Sequence, residues 1–339
     1  MDLESEMRDR KNLARIVLSS ITARLVRDAR VFIVLVLAIS GLCANAASAE
    51  SIFIIPGKMD GPHKAVANVL VSRLNSEFRE VITVKELAPQ FISRLKAVAD
   101  KKDYIVTIGS QAFSSVLDQD LDATLIATLI PRETYLALLE SHPGSRNRTT
   151  AVFIEQPVQR NLELVRIALP GRKPGILLGS QSGFLEDQLR RAARDLSLPL
   201  YIKRFKPREN LVDALDQVLK NCNVLVAFAD PEVSNPGTAR HLLLTTYRYG
   251  IPMVAYSKAY VRAGALMAVY STPEQFGQQT AELVIRSTRI TGPTLPGPEY
   301  PRYFSVDVNR NVARSLGIDL KPRAEIEARL RSTDRASDE

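Results

Sequence analysis

A short apolar run that stops at a turn and gives way to a helix recurs along this chain, and its clearest copy is VLVAFADPEVSN, residues 224–235. Residues 224–228 carry two β-branched side chains and an aromatic, stop at Asp230-Pro231, and lead into a helical stretch opening near Asn235. That is the pattern of a buried parallel strand whose loop feeds a helix. In open α/β sheets, ligands sit beyond the carboxyl ends of such strands, where helix amino termini present unpaired N–H groups. Asp230 and Asn235 are therefore candidate ligand contacts, although a turn former and a helix cap account for them equally simply.

The unit repeats in both halves. Residues 51–55, 81–84, 104–108, 124–129 and 151–154 read as strands; helices are expected at 63–78 and 91–99, and another opens with Ser110 as its N-cap. Beyond Gln156, strands are expected at 175–178, 200–204, 224–228, 253–256 and 265–270. The intervening helices fall at 184–196, 211–219 and 236–249, and one before them starts at Pro157 with Val158, Leu162, Val165 and Leu169 as its buried stripe. Thr272-Pro273-Glu274-Gln275 is a capping box with proline in the first turn. This alternation predicts an α/β protein of two doubly wound parallel-sheet lobes, in preference to one eight-fold barrel. The Pro- and Gly-rich residues 291–301 read as an extended connection between lobes.

The amino-terminal segment has a different character. Arg24, Arg27 and Arg30 precede an apolar run at 31–39, and Ala47-Ser48-Ala49 follows as a small-x-small site, so residues 1–49 read as a secretory signal cleaved before Glu50. The run is short for a membrane span, and Cys43 lacks the small preceding residue that a lipid-attachment site needs. The remaining 290 residues keep 38 of the 45 basic and 32 of the 37 acidic side chains, scattered and without interleaved aromatics, which excludes a nucleic-acid partner. Cys222 is then the last thiol, an inert buried cysteine with no disulfide partner.

Enzyme signatures fail. Gly179-Ser180-Gln181-Ser182-Gly183 imitates a nucleophile elbow but has glutamine at its centre, and neither a G-x-x-x-x-G-K-[ST] phosphate loop nor a G-x-G-x-x-G fingerprint is present. His63, His142 and His241 stand apart, without ligand spacing, and read as surface or loop residues. The expectation is a non-enzyme with no cofactor and no metal.

Several stretches also carry a resemblance: 173–178, Ala227-Phe228-Ala229-Asp230-Pro231, Gly250-Ile251-Pro252-Met253-Val254, Ala263-Gly264-Ala265-Leu266, and 306–318 with its Ala313-Arg314-Ser315-Leu316-Gly317 ending. As an ordered series, stronger after Gln156 than before it, they resemble the substrate-binding proteins of ABC uptake systems with the type I periplasmic-binding fold. The resemblance implies a periplasmic, monomeric protein that binds a small-molecule solute in a cleft by hinge closure and serves an ABC permease in the inner membrane. A sensing module of the same fold, without transport, is the alternative. It implies a first lobe of residues 50–155 plus 271–299 and a second of 156–270 plus 300–325, with 326–339 a flexible polar tail. The chain departs from the pattern at Ile130-Pro131-Arg132, where such proteins often have an acidic residue before the proline. A guanidinium there argues against holding an ammonium group.

If the strands are parallel, their carboxyl-end loops converge, so Ser110 and Gln111 should face Ser180, Gln181, Asp230 and Asn235. Hydroxyls and helix N–H groups suit an anion, Asp230 a donor, and Lys58 and Arg132 would add positive charge. With no tryptophan, Tyr256 and Tyr270 at strand ends are the candidate aromatic wall. The expected ligand is small, polar, and zwitterionic or anionic.

Overall fold

The computed structural model describes residues 51–84, 89–206, 208–289 and 295–337. The expected signal segment lies outside them, as does Glu50. No helix among the described residues is long and apolar enough to cross a membrane.

Strand and helix alternate through two sheets. In the first, β1 (Ser51–Pro56), β2 (Glu80–Thr83), β3 (Tyr104–Ile108), β4 (Thr124–Ile130) and β5 (Thr149–Phe153) lie in the order β2-β1-β3-β4-β5, all parallel. Helices α1 (Gly61–Leu74), α2 (Pro89–Val98), α3 (Ser110–Leu117) and α4 (Arg132–Ser141) connect them, with a 3-10 turn at Pro143–Arg148. The second sheet holds β6 (Pro174–Leu178), β7 (Tyr201–Arg204), β8 (Val224–Val226), β9 (Met253–Ala255), β10 (Met267–Tyr270) and β11 (Ser305–Val308) in the order β11-β10-β9-β8-β6-β7. Only β11 departs from the predicted parallel pattern, pairing antiparallel with β10. Its helices are α5 (Val158–Ala168), α6 (Leu185–Asp195), α7 (Leu211–Leu219), α8 (Ala239–Arg248), α9 (Lys258–Ala263), α11 (Arg310–Ser315) and α12 (Arg323–Ser337). Helix α10 (Pro273–Arg289) follows the second sheet in sequence but covers the first.

Each sheet is buried on both faces, which is why its strands read as apolar runs. On one face of the first sheet Ile52, Ile54, Val106 and Ile126 meet Val66 and Leu70 of α1 and Phe276, Leu283 and Val284 of α10. Helices α1 and α10 cross so closely that a Cβ on Gly277 would lie 2.7 Å from the Val69 Cβ. Phe113 of α3 and Tyr135 of α4 pack on the opposite face. In the second lobe, α5, α6 and α12 cover one face, while α7, α8 and α9 cover the other. Val158, Leu162, Val165 and Leu169 are buried, as their spacing predicts.

Four local expectations are corrected. Gly109 occupies the N-cap of α3 with φ 92°, and Ser110 is the first helical residue without a capping bond. Pro157 is the N-cap of α5 and not its first residue. Strand β8 ends at Val226, two residues short of the apolar run. Residues 326–337, expected in a flexible polar tail, belong to α12, where Ile326 and Leu330 are buried against the second core.

Candidate functional site

The chain passes between the sheets three times. It leaves the carboxyl end of β5 and enters α5 through residues 154–157, and it leaves the carboxyl end of β10 and enters α10 through residues 271–272. It returns from α10 to β11 through residues 290–304, where Glu299 pairs with the edge of β5 by donating to the Ala151 carbonyl and accepting from the Phe153 N–H. Both short crossings start at carboxyl strand ends, so the carboxyl edges of the two sheets face one another, and the strand-end loops line the gap. The two edges are joined at the crossings themselves, where the Gln156 amide donates to the Ser271 hydroxyl at 2.8 Å.

On the first edge, Gly57 donates to the Ile108 carbonyl at 2.9 Å and tightens the turn that presents Lys58, which is exposed. Gly109 next to it needs its positive φ, and it also needs to lack a side chain, because a Cβ there would lie 2.6 Å from Nε2 of His63. The His63 imidazole therefore packs against the start of α3, beside Ser110 and Gln111. Burial holds it below its usual pKa; Asp60 opposes this and Lys58 reinforces it. That lowering favours the neutral imidazole. Spacing arguments assign it a loop role, and nothing local to positions 63 and 109 in sequence reveals that they meet.

Arg132 sits at the first turn of α4 and is already engaged. Its guanidinium pairs with Glu133 at 2.7 Å, and its N–H is accepted by both Glu155 oxygens at 3.1 and 3.2 Å. Burial pushes the Glu155 carboxyl up, against the lowering effect of that N–H. Just before it, Leu129 takes left-handed backbone, φ 52°, where β4 shifts register against β5 between Thr128 and Ile130. This bulge turns the end of β4 toward the first crossing. A carboxylate does stand beside Pro131, supplied by the crossing at Glu155 and not by strand β4.

The second edge is built on Asp230, which is 3 % exposed and turned inward. One carboxylate oxygen accepts the Ser182 N–H at 2.9 Å and the Ser182 hydroxyl at 2.7 Å; the other accepts the Glu232 and Val233 N–H groups at 2.8 and 3.1 Å. A Cβ on Gly179 would lie 2.2 Å from this carboxylate, so the glycine makes room for it. Asn235 is also committed: its side-chain oxygen accepts from Gly237 and Thr238 N–H, and its amide donates to the Pro231 carbonyl. The Tyr256 hydroxyl donates to the Ser234 carbonyl at 2.8 Å, and that of Tyr270 to Asp307 at 2.8 Å.

Of the ten residues predicted from sequence, five thus have their functional groups engaged within the protein. In the other five, the side chains of Lys58, Ser110, Gln111, Ser180 and Gln181 form no bond with a described residue. All but half-buried Ser110 are exposed. Among the described residues no cluster suits a metal ion.

No family model matches this sequence, and no curated protein matches it. Solved structures do. A ligand-free, open substrate-binding protein with adhesive properties from Clostridium difficile is 17 % identical, with 80 % of this chain and 96 % of that one covered and a TM-score of 0.64. A conserved domain protein from Vibrio cholerae gives 16 % identity, 83 % and 98 % coverage and a TM-score of 0.54. The ABC domain in complex with L-Trp from Streptococcus pneumonia gives 14 %, 81 %, 96 % and 0.53. The chain has the type I periplasmic-binding fold. Lys58, Ser110 and Gln111 follow strand ends of the first sheet, and Ser180 and Gln181 follow the end of β6 in the second.

Proposed function

We propose that this protein is a periplasmic solute-binding protein that captures a small polar solute between its lobes and presents it to an ABC permease. The observation that carries this reading is the division of labour at the two edges. Asp230, Asn235 and Arg132 hold the loops, while the polar side chains above them keep their donors and acceptors for something else. Solved proteins of the same architecture support it, two of them described as a substrate-binding protein and an ABC domain holding L-Trp. Lys58 and the start of α3 give the first wall a positive potential that suits an anionic or carboxylate-bearing solute. Glutamines and hydroxyls opposite suit its polar groups. Ligand bridging both walls makes contacts that only the closed form completes, and so shifts the population toward closure. Residues 1–49 serve as the export signal, and the mature protein works as a monomer and not as an enzyme.

A thermal-shift screen of the purified protein against amino acids, nucleosides, sugars and small anions tests this. The reading expects a compound class that raises the melting temperature, and a loss of affinity of about tenfold or more in Lys58→Ala and in Gln181→Ala. Neither variant should melt lower than the parent, because neither side chain bonds to a described residue. Absence of any shift, or equal affinity in both variants, overturns the assignment of this cleft.

A further inference from the structure

Charged side chains of α12 touch the third crossing directly and connect to the other two through Arg160 and Asp307. Near its start Arg323 pairs with Asp307 at 3.2 Å, the carboxylate that accepts the hydroxyl of Tyr270 where the second crossing begins. Farther along, Arg331 donates to the Phe304 carbonyl in the third crossing and stacks on that ring, 4.5 Å from its centroid. Asp334 takes Nε and Nη2 of Arg160 as a bidentate pair, the Nε contact at 2.9 Å.

Arg160 is the junction. It is 5 % exposed, stacks on Phe304 at 4.4 Å, and through Nη1 donates to the Gln156 side chain at 2.6 Å and the Pro301 carbonyl at 2.7 Å. The Gln156 amide then donates to Ser271 Oγ at 2.8 Å, and that hydroxyl donates to the Tyr303 carbonyl at 2.5 Å. One run of bonds therefore links Asp334, Arg160, Gln156, Ser271 and Tyr303, with a residue from each crossing in it. A guanidinium is a rigid planar fork, so a carboxylate that fixes one side of it fixes the direction of the other.

We propose that α12 braces the hinge: the Asp334–Arg160 pair holds the three crossings in one frame and presets the angle about which the lobes move. Arg160 is a positioning residue acting through Gln156 and Pro301. The inference rests on the crossings and is independent of what the cleft binds.

Hydrogen exchange with mass spectrometry on the full-length protein tests it without any ligand. Two variants are compared with the parent: Asp334→Asn, and the paired replacement Arg160→Met with Asp334→Leu, which removes both charges without leaving one buried and unpaired. In both, peptides spanning 154–160, 270–274 and 299–305 should exchange about tenfold faster or more, while 104–108 and 174–178 keep the parent's protection. Small-angle scattering of the same variants should show a broadened distribution of interatomic distances. Asp334→Glu, which keeps the carboxylate, should restore slow exchange. Crossing peptides that exchange at the parent's rate, or acceleration spread evenly through both sheets, would mean that α12 adds only bulk stability, and the proposal fails.

Discussion

Asp230 shows how far a single position can be read. An acid followed by proline at the end of an apolar run marks a strand-end loop whether its carboxylate points out to a ligand or in toward the scaffold. Which way it points depends on Ser182, 48 positions away, and on Gly179 leaving space. Removing an inward carboxylate strands four donors in a buried loop, so Asp230→Ala should lower the unfolding free energy by about 3 kcal/mol in urea titrations. Gly179→Ala pushes a methyl into the same carboxylate and should cost about 2 kcal/mol. Because the two act on one network, the double variant should lose less than the two losses added together. Two of the perturbed carboxyls, Asp307 and Glu155, make opposite predictions about pH. Burial disfavours the Asp307 anion, but Tyr270, Lys258 and Arg323 outweigh it and hold its pKa below the usual 3.8. Its stabilisation is present above that value and lost as pH falls through the lower folded one. The Glu155 carboxyl is pushed above 4.5 by burial, so its favourable contribution is present below 4.5 and lost as pH rises through the folded value. Urea midpoints measured from about pH 3 to 7 should show a weaker loss on the acid side in Asp307→Asn and a weaker loss above the Glu155 range in Glu155→Gln.

At the scale of elements, what was legible is what is local. The Thr272 to Gln275 box forms as written, with the Thr272 N–H donating to Gln275 at 2.8 Å and the Gln275 N–H to the Thr272 hydroxyl at 3.3 Å. Thr272→Ala should lower stability by about 1 kcal/mol in a thermal or urea melt. Strands β3 and β6 to β10 stand where the apolar runs place them, to within two residues, because burial on both faces leaves a compositional mark. Helix α12 left almost none. Its sequence is polar around a narrow stripe of Ile326 and Leu330, and its ordering comes from Arg160 and Phe304, residues no local window contains. The side chains proposed for the cleft divide the same way: strand ends pointed to Ser110, Gln111, Ser180 and Gln181, while His63 needed the close approach at Gly109.

For the whole molecule, the proposed frame joins the two edges at the crossings, through bonds such as Gln156 to Ser271, and makes those crossings the axis about which the lobes move as bodies. Small-angle scattering with a saturating amount of the solute found by screening should show compaction relative to the free protein, and superposable curves would argue for a rigid module.

The placement of α10 bears on how such a chain comes to be folded at all. A polypeptide emerging in order has all five strands of the first sheet by residue 153, yet the face carrying Ile52, Ile54, Val106 and Val152 waits for Phe276, Leu283 and Val284. The Tyr104 hydroxyl likewise donates to the Ser287 carbonyl, 183 residues later. Contacts so distant in sequence slow folding, because loop closure comes before the burial that rewards it. The amino-terminal lobe is therefore completed only once α10 is in place, after most of the second lobe has already been made. Until α10 has been synthesised it remains a half-covered sheet, which suits the export in an unfolded state that the proposed function requires.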